Sequence, residues 1–165
     1  MRKYFLILLF VPFLLASCLD VQSDYSPTLY VNHIINQSGD TLSVRYNETY
    51  KLNVCDTVHV GDTLNTLVLF DGVGNNITMA LVNWDNSAAH VWTEYDNTVS
   101  SILLEKSDSV NCQLYFPEGY RYVLLPIHYV PLVAGSPVIT FVVDNDSKYE
   151  AVEASIMIPA INSEE

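Results

Sequence analysis

Basic residues, cysteine and glycine are all scarce in this 165-residue chain. Seven Lys and Arg residues stand against 19 Asp and Glu residues, which gives a formal net charge of −12 at pH 7. Affinity for nucleic acid depends on Lys and Arg side chains that neutralise phosphates, so this balance argues against a nucleic-acid partner. It equally gives no support for electrostatic attraction to anionic lipid headgroups.

The motifs of common catalytic sites are also missing from the sequence. It contains no GxSxG turn, no P-loop and no glycine-rich dinucleotide turn. Acidic residues are numerous, but on so acidic a surface isolated carboxylates are better explained as solvating groups than as a glycosidase pair. We therefore predict that the protein is not an enzyme, and we assign it no catalytic residue and no cofactor.

Metal ligands do not occur at the spacings that a metal site requires. The histidines show neither HxH nor HExxH spacing, so no zinc site is predicted. Asp144-Asn145-Asp146 and nearby Glu150 offer hard oxygen donors that suit calcium. The Gly and Glu of an EF-hand loop are missing there, and a hairpin tip is the simpler interpretation. The four histidines are His33, His59, His90 and His128.

Three cysteines occur, and none belongs to a CxxC pair, so a redox motif has no support. Cys112 alternates in step with Val110 and Leu114, which favours a buried free thiol. Cys55 is out of step with the apolar residues of its own segment. The two sulfurs would then lie on different sides, whereas a disulfide needs Cβ atoms about 3.5–4.5 Å apart. A Cys55–Cys112 disulfide is therefore the less favoured alternative.

A short basic start and a long apolar run occupy the N-terminus. Arg2 and Lys3 precede an almost uninterrupted apolar segment from Tyr4 to Leu15, and the sequence LASC closes the segment at Cys18. The run is too short to span a bilayer comfortably, so a removed signal is favoured over a permanent transmembrane helix. A plain secretory signal that ends near a cysteine is the alternative.

This segment resembles the signal peptide and lipobox of bacterial lipoproteins. The resemblance implies that residues 1–17 are removed and that Cys18 becomes a lipidated N-terminus, which anchors the protein in a membrane. Cleavage removes two basic residues and no acid, so the expected mature net charge is 5 − 19 = −14. Residues 18–27 are then a lipidated tether. The expected location is the outer membrane, on its periplasmic or its external side.

Beyond residue 27 the apolar residues follow the period of β-strands almost throughout. Leu42, Val44 and Tyr46 alternate with polar residues, which predicts a strand with one buried face. The segment from Ser87 to Asn97 is ambiguous, because Ser87 suits the cap of a short helix and the segment equally suits a crossover. The other predicted strands are residues 28–36, 50–54, 57–60, 64–70, 77–84, 99–104, 110–116, 122–130, 138–143 and 152–158.

Short strands, with turn signals about every 8–12 residues and no confident long helix, predict an all-β fold. We expect an antiparallel immunoglobulin-like β-sandwich of about seven to nine strands over residues 28–160, followed by a polar tail at 161–165. A lipocalin-like closed barrel is the structural alternative. Together with the lipobox, this layout resembles the small immunoglobulin-like lipoproteins of Bacteroidota envelopes.

Four short motifs of Asp, then Thr or Ser, then an aliphatic residue resemble the O-glycosylation acceptor that Bacteroidota use on exported proteins. The resemblance implies sugars on Thr41, Thr57, Thr63 and Ser109. Such motifs also arise from structure alone, because Asp favours turns and a β-branched residue favours the start of a strand. Both interpretations hold together where such junctions are exposed.

Aromatic residues are the sequence feature with the most binding potential, because Trp and Tyr stack on sugars and anchor protein interfaces. We expect a lipid-anchored binding or assembly module for a protein or glycan partner, with contacts on loops near 71–76, 87–97 and 117–121 at one end of the sandwich. A structural subunit of an appendage or transport complex, marked by an exposed strand edge, is the second hypothesis. The candidate binding aromatics are Trp84, Trp92, Tyr120 and Tyr122, with ordinary strand packing as the alternative. The tyrosines expected to cluster around one turn are Tyr115, Tyr120, Tyr122 and Tyr129.

Overall fold

Twelve β-strands make up the described part of the computed structural model, which covers residues 25–46, 51–93 and 120–163. Across these ranges we find no helix with the length and apolarity needed to cross a membrane. The strands are β1 (Thr28–Val31), β2 (Ile35–Asn36), β3 (Val44–Tyr46), β4 (Lys51–Val54), β5 (Val58–His59), β6 (Leu64–Asp71), β7 (Ile77–Trp84), β8 (Ala89–Trp92), β9 (Tyr122–Pro131), β10 (Val138–Asn145), β11 (Val152–Met157) and β12 (Ala160–Ile161).

The long strands form two five-stranded sheets that pack face to face. Sheet A has the order β1-β6-β9-β8, with β2 also paired to β6, and sheet B has the order β3-β4-β11-β10-β7. This confirms the predicted all-β, immunoglobulin-like sandwich, built from two open sheets rather than one closed sheet. Most neighbours are antiparallel, as predicted, but β4 pairs with β11 and β5 pairs with β12 in parallel.

Alternating apolar side chains of both sheets meet in one core. Along β9 the buried Leu125 and Ile127 alternate with residues that face outward. Phe70 of sheet A and Phe141 of sheet B are fully buried and meet edge to face, with ring centroids 6.4 Å apart and planes at 67°. This aromatic pair joins the inner faces of the two sheets.

Tyr129 brings a hydroxyl group into this core without a hydrogen-bond partner. Its side chain is 2% exposed, and its hydroxyl oxygen finds no partner within the described residues. Burial raises the pKa of Tyr129, because the phenolate would lose its hydration. An unpaired buried hydroxyl destabilises the folded state, by about 1–3 kcal/mol in protein substitution data.

Replacing Tyr129 with phenylalanine is therefore expected to raise the free energy of unfolding by about 1 kcal/mol at pH 7. The advantage should grow above about pH 10, because the unfolded tyrosine then ionises near its ordinary pKa while the folded one stays neutral. Urea unfolding at neutral pH and at about pH 10.5 measures both effects. Equal stability of the two proteins at both pH values would contradict this account, and Tyr46→Phe, at an exposed position, is the control.

Five predicted strands agree closely with the structure. The predicted segments at 64–70, 77–84, 122–130, 138–143 and 152–158 correspond to β6, β7, β9, β10 and β11. The predicted strands at 99–104 and 110–116 lie outside the described residues, as do the signal segment with Cys18 and most of the turn at 117–121.

The first predicted strand is divided in two. Residues 28–36 form β1 and β2, which both pair with β6 but are separated by a bend at residues 32–34. The bend is held at two points, because Thr66 Oγ1 donates a hydrogen bond to Asn32 O at 3.1 Å and Leu42 N donates to Ile34 O at 2.8 Å. The apolar pattern predicts one strand here, although the polar Asn32 and His33 lie at this interruption.

The prediction that Leu42, Val44 and Tyr46 share one buried face is wrong for Val44 and Tyr46. Leu42 is buried, whereas Val44 and Tyr46 are 38% and 66% exposed. Both belong to β3, which forms an edge of sheet B and pairs with β4. Alternation indicates which residues share one side of a strand, but it does not show whether another sheet covers that side.

Residues 87–93, the described part of the ambiguous segment at 87–97, form the end of a turn and then β8 rather than a helix. The Asp85 carboxylate accepts hydrogen bonds from the hydroxyl and the backbone N–H of Ser87, at 2.6 and 2.8 Å, and these bonds lower the pKa of Asp85. The Asp85 carbonyl accepts from the N–H groups of Ala88 and Ala89, both at 3.0 Å. The chain therefore turns directly from β7 into β8, which pairs with β9.

Two buried asparagines fix the point at which the chain enters the sandwich. Asn75 and Asn145 are 2% and 4% exposed, and each donates a side-chain N–H to the carbonyl oxygen of Tyr25 at 3.1 Å. Asn145 also donates to Gly72 O at 2.8 Å. Gly72 permits this close packing, because a Cβ there would overlap the carbonyl oxygen of Asn75.

We call Tyr25, Gly72, Asn75 and Asn145 the amide clamp, and we call the end of the sandwich that carries it the tether end. At this end β6 and β10 finish, and β1, β7, β9 and β11 begin.

Candidate functional site

The outward side of sheet A carries apolar and aromatic side chains along its strands. On β9, for example, the outward Leu124 and Pro126 alternate with the buried Val123, Leu125 and Ile127. Strand pairing places outward residues of neighbouring strands side by side. We call this surface the outer face, and its residues are Thr28, Tyr30, Asn65, Leu67, Leu69, Asp71, His90, Trp92, Tyr122, Leu124, Pro126, His128 and Val130.

Formal charge is nearly absent from the outer face. Asp71 is its one carboxylate among the described residues, although the chain contains 19 acids, and no Lys or Arg belongs to it. Leu67, Leu124 and Tyr122 are 38%, 49% and 69% exposed. A contiguous apolar surface of this kind on a folded domain usually marks an interaction site.

A groove of about 190 Å³ lies in the outer face. Leu67, Pro126 and His128 come from β6 and β9, and His33 and Ile35 come from the bend and from β2. The accessible lining is mostly apolar. The groove is smaller than the roughly 300–1,000 Å³ of typical small-molecule sites, so it suits a single inserted side chain or ring. Its remaining lining residues are Asn32, Asn65 and Thr66.

Trp92 stacks on two histidines beside the groove. Its ring centroid lies 5.1 Å from the centroids of His90 and His128, with planes at 24° and 19°. Nδ1 of His128 lies 2.6 Å from Oδ1 of Asn65, and it is the donor because Asn65 presents its oxygen. Three of the four histidines, including His33, therefore lie on one surface. Their spacing in the sequence gave no sign of this, because the strand pairings bring them together.

The four aromatic candidates occupy different places. Trp92 and Tyr122 lie on the outer face. Trp84 packs against the core, where its Nε1 is buried without a partner among the described residues, so its ring does not form a surface platform. Tyr120 is 37% exposed and lies at the tether end, where its carbonyl oxygen accepts a hydrogen bond from Ile77 N.

The prediction that Tyr129 clusters with the other tyrosines around one turn is wrong. This residue lies in the core at the other end of β9 from Tyr122, because a strand of ten residues carries the chain between them. Tyr115 lies outside the described residues.

The three loops expected at one end of the sandwich do not gather there. Residues 72–76 and Arg121 meet at the tether end, where Gly72 N donates to Arg121 O at 2.8 Å. The turn at Asp85–Ala88 lies at the opposite end, where Leu132 N donates to Ala88 O at 2.9 Å. The reason is that β7 carries the chain from one end of the sandwich to the other.

The three candidate glycosylation motifs within the described residues, at 40–42, 56–58 and 62–64, lie at turns, as their sequences predicted. The Asp62 carboxylate, for example, accepts a hydrogen bond from His59 N at 2.8 Å. Glycosylation itself stays a prediction. Of the four acceptors, Thr41 and Thr57 are exposed, Thr63 is half-buried, and Ser109 lies outside the described residues.

Cys55 is exposed and has no disulfide partner among the described residues, and its Sγ lies 3.7 Å from Asn53 O. Its outward position agrees with the predicted alternation, because Leu52 and Val54 are buried. Cys112 lies outside the described residues, so the disulfide between them stays a hypothesis.

Asp144 and Asn145 end β10, and Asp146 begins the connection to β11. Asp144 Oδ1 accepts a hydrogen bond from Asn145 N at 2.9 Å, and Asp146 Oδ1 accepts one from Asn76 N at 3.0 Å. Within residues 25–46, 51–93 and 120–163, no three His, Cys, Asp or Glu side chains come together as metal ligands would. The hydrogen bonds of Asp144 and Asp146 explain the Asp-Asn-Asp sequence as part of the β10–β11 hairpin.

No protein-family model and no curated protein sequence matches this chain. Among solved structures, the secreted serine protease VesC from Vibrio cholerae is 14% identical with a TM-score of 0.39, over 72% of this chain and 23% of that one. A family 123 glycoside hydrolase from Clostridium perfringens is 9% identical with a TM-score of 0.42, over 84% of this chain and 28% of that one. A PapD-like domain of human CEP192 is 10% identical with a TM-score of 0.36, over 74% of this chain and 87% of that one. This chain spans about a quarter of the first two proteins, and similarity at this level carries no functional argument.

Proposed function

We propose that this protein is a lipid-anchored, non-enzymatic module of a bacterial envelope that binds another protein through the groove of its outer face. The observation that carries the proposal is a groove of about 190 Å³ set in an exposed surface that is nearly free of charge. An apolar side chain of the partner would enter the groove, and Leu67 and Leu124 would supply apolar contact around it.

The N-terminal sequence supports the anchor. A basic start, an apolar run and a lipobox-like end lead to Cys18. Each buried methylene contributes about 0.8 kcal/mol, so two or three acyl chains hold a protein firmly on a membrane where one chain is marginal. An outer-membrane location belongs to the same proposal.

A protein partner fits the groove better than a glycan, because the accessible lining is mostly apolar and several of its polar atoms are already hydrogen-bonded. Asn65 is hydrogen-bonded to His128, and Thr66 Oγ1 donates to Asn32 O. Trp92 already stacks on two imidazole rings. A sugar needs free hydrogen-bonding groups and an open aromatic face, whereas an apolar side chain needs neither. The described lining contains two histidines but no carboxylate, cysteine or serine beside them, which supports binding rather than catalysis.

Replacing Leu67 with glutamate is expected to weaken capture of the partner from native envelopes by at least about tenfold, because an unpaired charge would be buried in the interface. Leu67 and Val44 are both 38% exposed, but Val44 lies on β3 in the other sheet. Val44→Glu is therefore the matched control and should retain the partner. Quantitative mass spectrometry of proteins that co-purify with the wild type and the two variants measures the effect.

The proposal is supported if a protein co-purifies with the wild type and with Val44→Glu but not with Leu67→Glu. Co-purifying proteins that remain with both variants would exclude the groove as their binding site. Binding of the wild type to a glycan array that disappears in Leu67→Glu would identify a sugar as the ligand instead.

A second candidate function, a structural subunit that accepts a strand from a partner, is favoured by one observation. β7 is eight residues long and lies at an edge of sheet B, with β10 as its neighbour among the described strands. A long edge strand can pair with a strand of another chain. A partner that remains bound to Leu67→Glu would favour this route.

A further inference from the structure

We infer that the tether end of the sandwich rests on the bilayer interface through a rim of exposed tyrosines; this rests on the lipid anchor of the proposed function. The tyrosine rim consists of Tyr25, Tyr120, Tyr122 and Tyr149, which are 62%, 37%, 69% and 44% exposed. Tyr25 belongs to the amide clamp, Tyr120 and Tyr122 lie at the start of β9, and Tyr149 lies between β10 and β11.

The opposite end of the sandwich has a different surface. Its exposed apolar residues are aliphatic, with Leu132, Val133 and Ile161 at 46%, 47% and 49% exposure. Of the other exposed tyrosines of the described chain, Tyr30 lies on β1 opposite Leu69, and Tyr46 lies on the edge strand β3 opposite Leu52, away from the tether end. Exposed tyrosine is therefore concentrated at the tether end.

The anchor would hold this end close to the membrane. Residues 18–24 separate the expected lipidated Cys18 from Tyr25, and a segment of seven residues spans at most about 25 Å when fully extended. Two side-chain N–H groups hold the carbonyl oxygen of Tyr25 at 3.1 Å, so the chain leaves the body at a defined point. The tyrosine rim surrounds that point and is the first part of the body to reach the bilayer.

Tyrosine suits this position, because its ring is apolar while its hydroxyl can remain in water among the headgroups. Arg121 and Lys148 are exposed at the same end. Lys148 Nζ lies 5.4 Å from the ring centroid of Tyr149, so this cation stands beside the rim. Weak contacts are sufficient, because the anchor keeps the body at a high effective concentration beside the surface.

Three of the carboxylates at the tether end take part in hydrogen bonds of the loops themselves, whereas Glu150 is exposed there. Asp71, Asp144 and Asp146 accept from backbone N–H groups at 2.8, 2.9 and 3.0 Å. The expected mature charge of 5 − 19 = −14 nevertheless disfavours a strongly anionic surface. The occupant that fits the rim is therefore the interface of a zwitterionic bilayer.

A pair of equally exposed tyrosines in the same molecule provides the test. Tyr122 and Tyr46 are 69% and 66% exposed, at the tether end and on β3. The lipidated protein is reconstituted on phosphatidylcholine vesicles and oxidised by hydroxyl radicals generated in the water, and mass spectrometry gives the oxidation rate of each tyrosine. We expect a several-fold lower rate at Tyr122 than at Tyr46.

Equal rates at Tyr122 and Tyr46, on protein that floats with the vesicles, would overturn the rim and leave the anchor intact. Failure of the protein to float would overturn the anchor and this inference with it. The double variant Tyr122→Ser and Tyr149→Ser should raise the oxidation rate of Tyr25 on vesicles, whereas Tyr46→Ser should leave it unchanged. An unchanged rate at Tyr25 in the double variant would also contradict the rim.

Discussion

Replacing Phe141 with alanine should lower the free energy of unfolding by about 3–5 kcal/mol. The Phe141 side chain is fully buried. It belongs to β10, which lies between β11 and β7 in sheet B. Its removal leaves a cavity that the close-packed neighbours cannot fill without moving. It also removes the edge-to-face contact with Phe70, 6.4 Å away across the core. Since domains are stable by only about 5–15 kcal/mol, this one substitution threatens the folded state.

Urea unfolding measures this loss, with Thr140→Ala as the matched control one position away on the same strand. Thr140 is half-buried on the opposite side of β10, so its loss should change stability by no more than about 0.5 kcal/mol. Phe70→Ala and the double variant complete a cycle in which the aromatic pair should show about 0.5–1.5 kcal/mol of coupling. A loss of less than about 1 kcal/mol for Phe141→Ala would show that the sheets do not meet at this pair.

Replacing Asn145 with alanine should lower the free energy of unfolding by about 2–3 kcal/mol. The Asn145 side chain donates to the carbonyl oxygens of Tyr25 and Gly72 and accepts a hydrogen bond from Ser147 N. The variant removes three hydrogen bonds, each worth about 0.5–1.5 kcal/mol net, and leaves the carbonyl oxygens of Gly72 and Tyr25 with only their bonds from Asn75. The entry of the chain into β1 should loosen at the same time.

Amide hydrogen exchange distinguishes these two effects of Asn145→Ala. Residues 26–31 should exchange faster than in the wild type, beyond what the global loss of stability explains. Asn83→Ala is the control, because Asn83 is exposed on β7 close to the end opposite the tether end. An exchange rate at residues 26–31 that follows global stability alone would show that the amide clamp does not hold the entry of the chain.

The period of apolar residues predicted the long strands, because each of them has one face covered by the opposite sheet. β7 and β9 are the clearest cases. The same pattern failed at Val44 and Tyr46, since an edge strand can alternate without being covered. It also failed to show that Ala89 and Val91 belong to a strand, because their partner β9 lies far along the chain and a local sequence does not reveal it.

The groove could not be predicted, because its residues come from segments far apart in the sequence. His33, Leu67 and His128 become neighbours only when β2 and β9 both pair with β6. The aromatic candidates were visible in the sequence, but their surroundings were not. Nothing in the local sequence separates Trp92, on the outer face, from Trp84, which packs against the core.

The parallel pairs join segments that lie far apart in the chain, such as Lys51 with Ser155 and Val58 with Ala160. Closing such long loops is slow, because chain entropy is lost before the new contacts form. Residues 152–161 must therefore be synthesised before β4 and β5 can pair with β11 and β12. A nascent chain that lacks residues 152–161 lacks the partners of both strands, so these two parallel pairs form only late in folding.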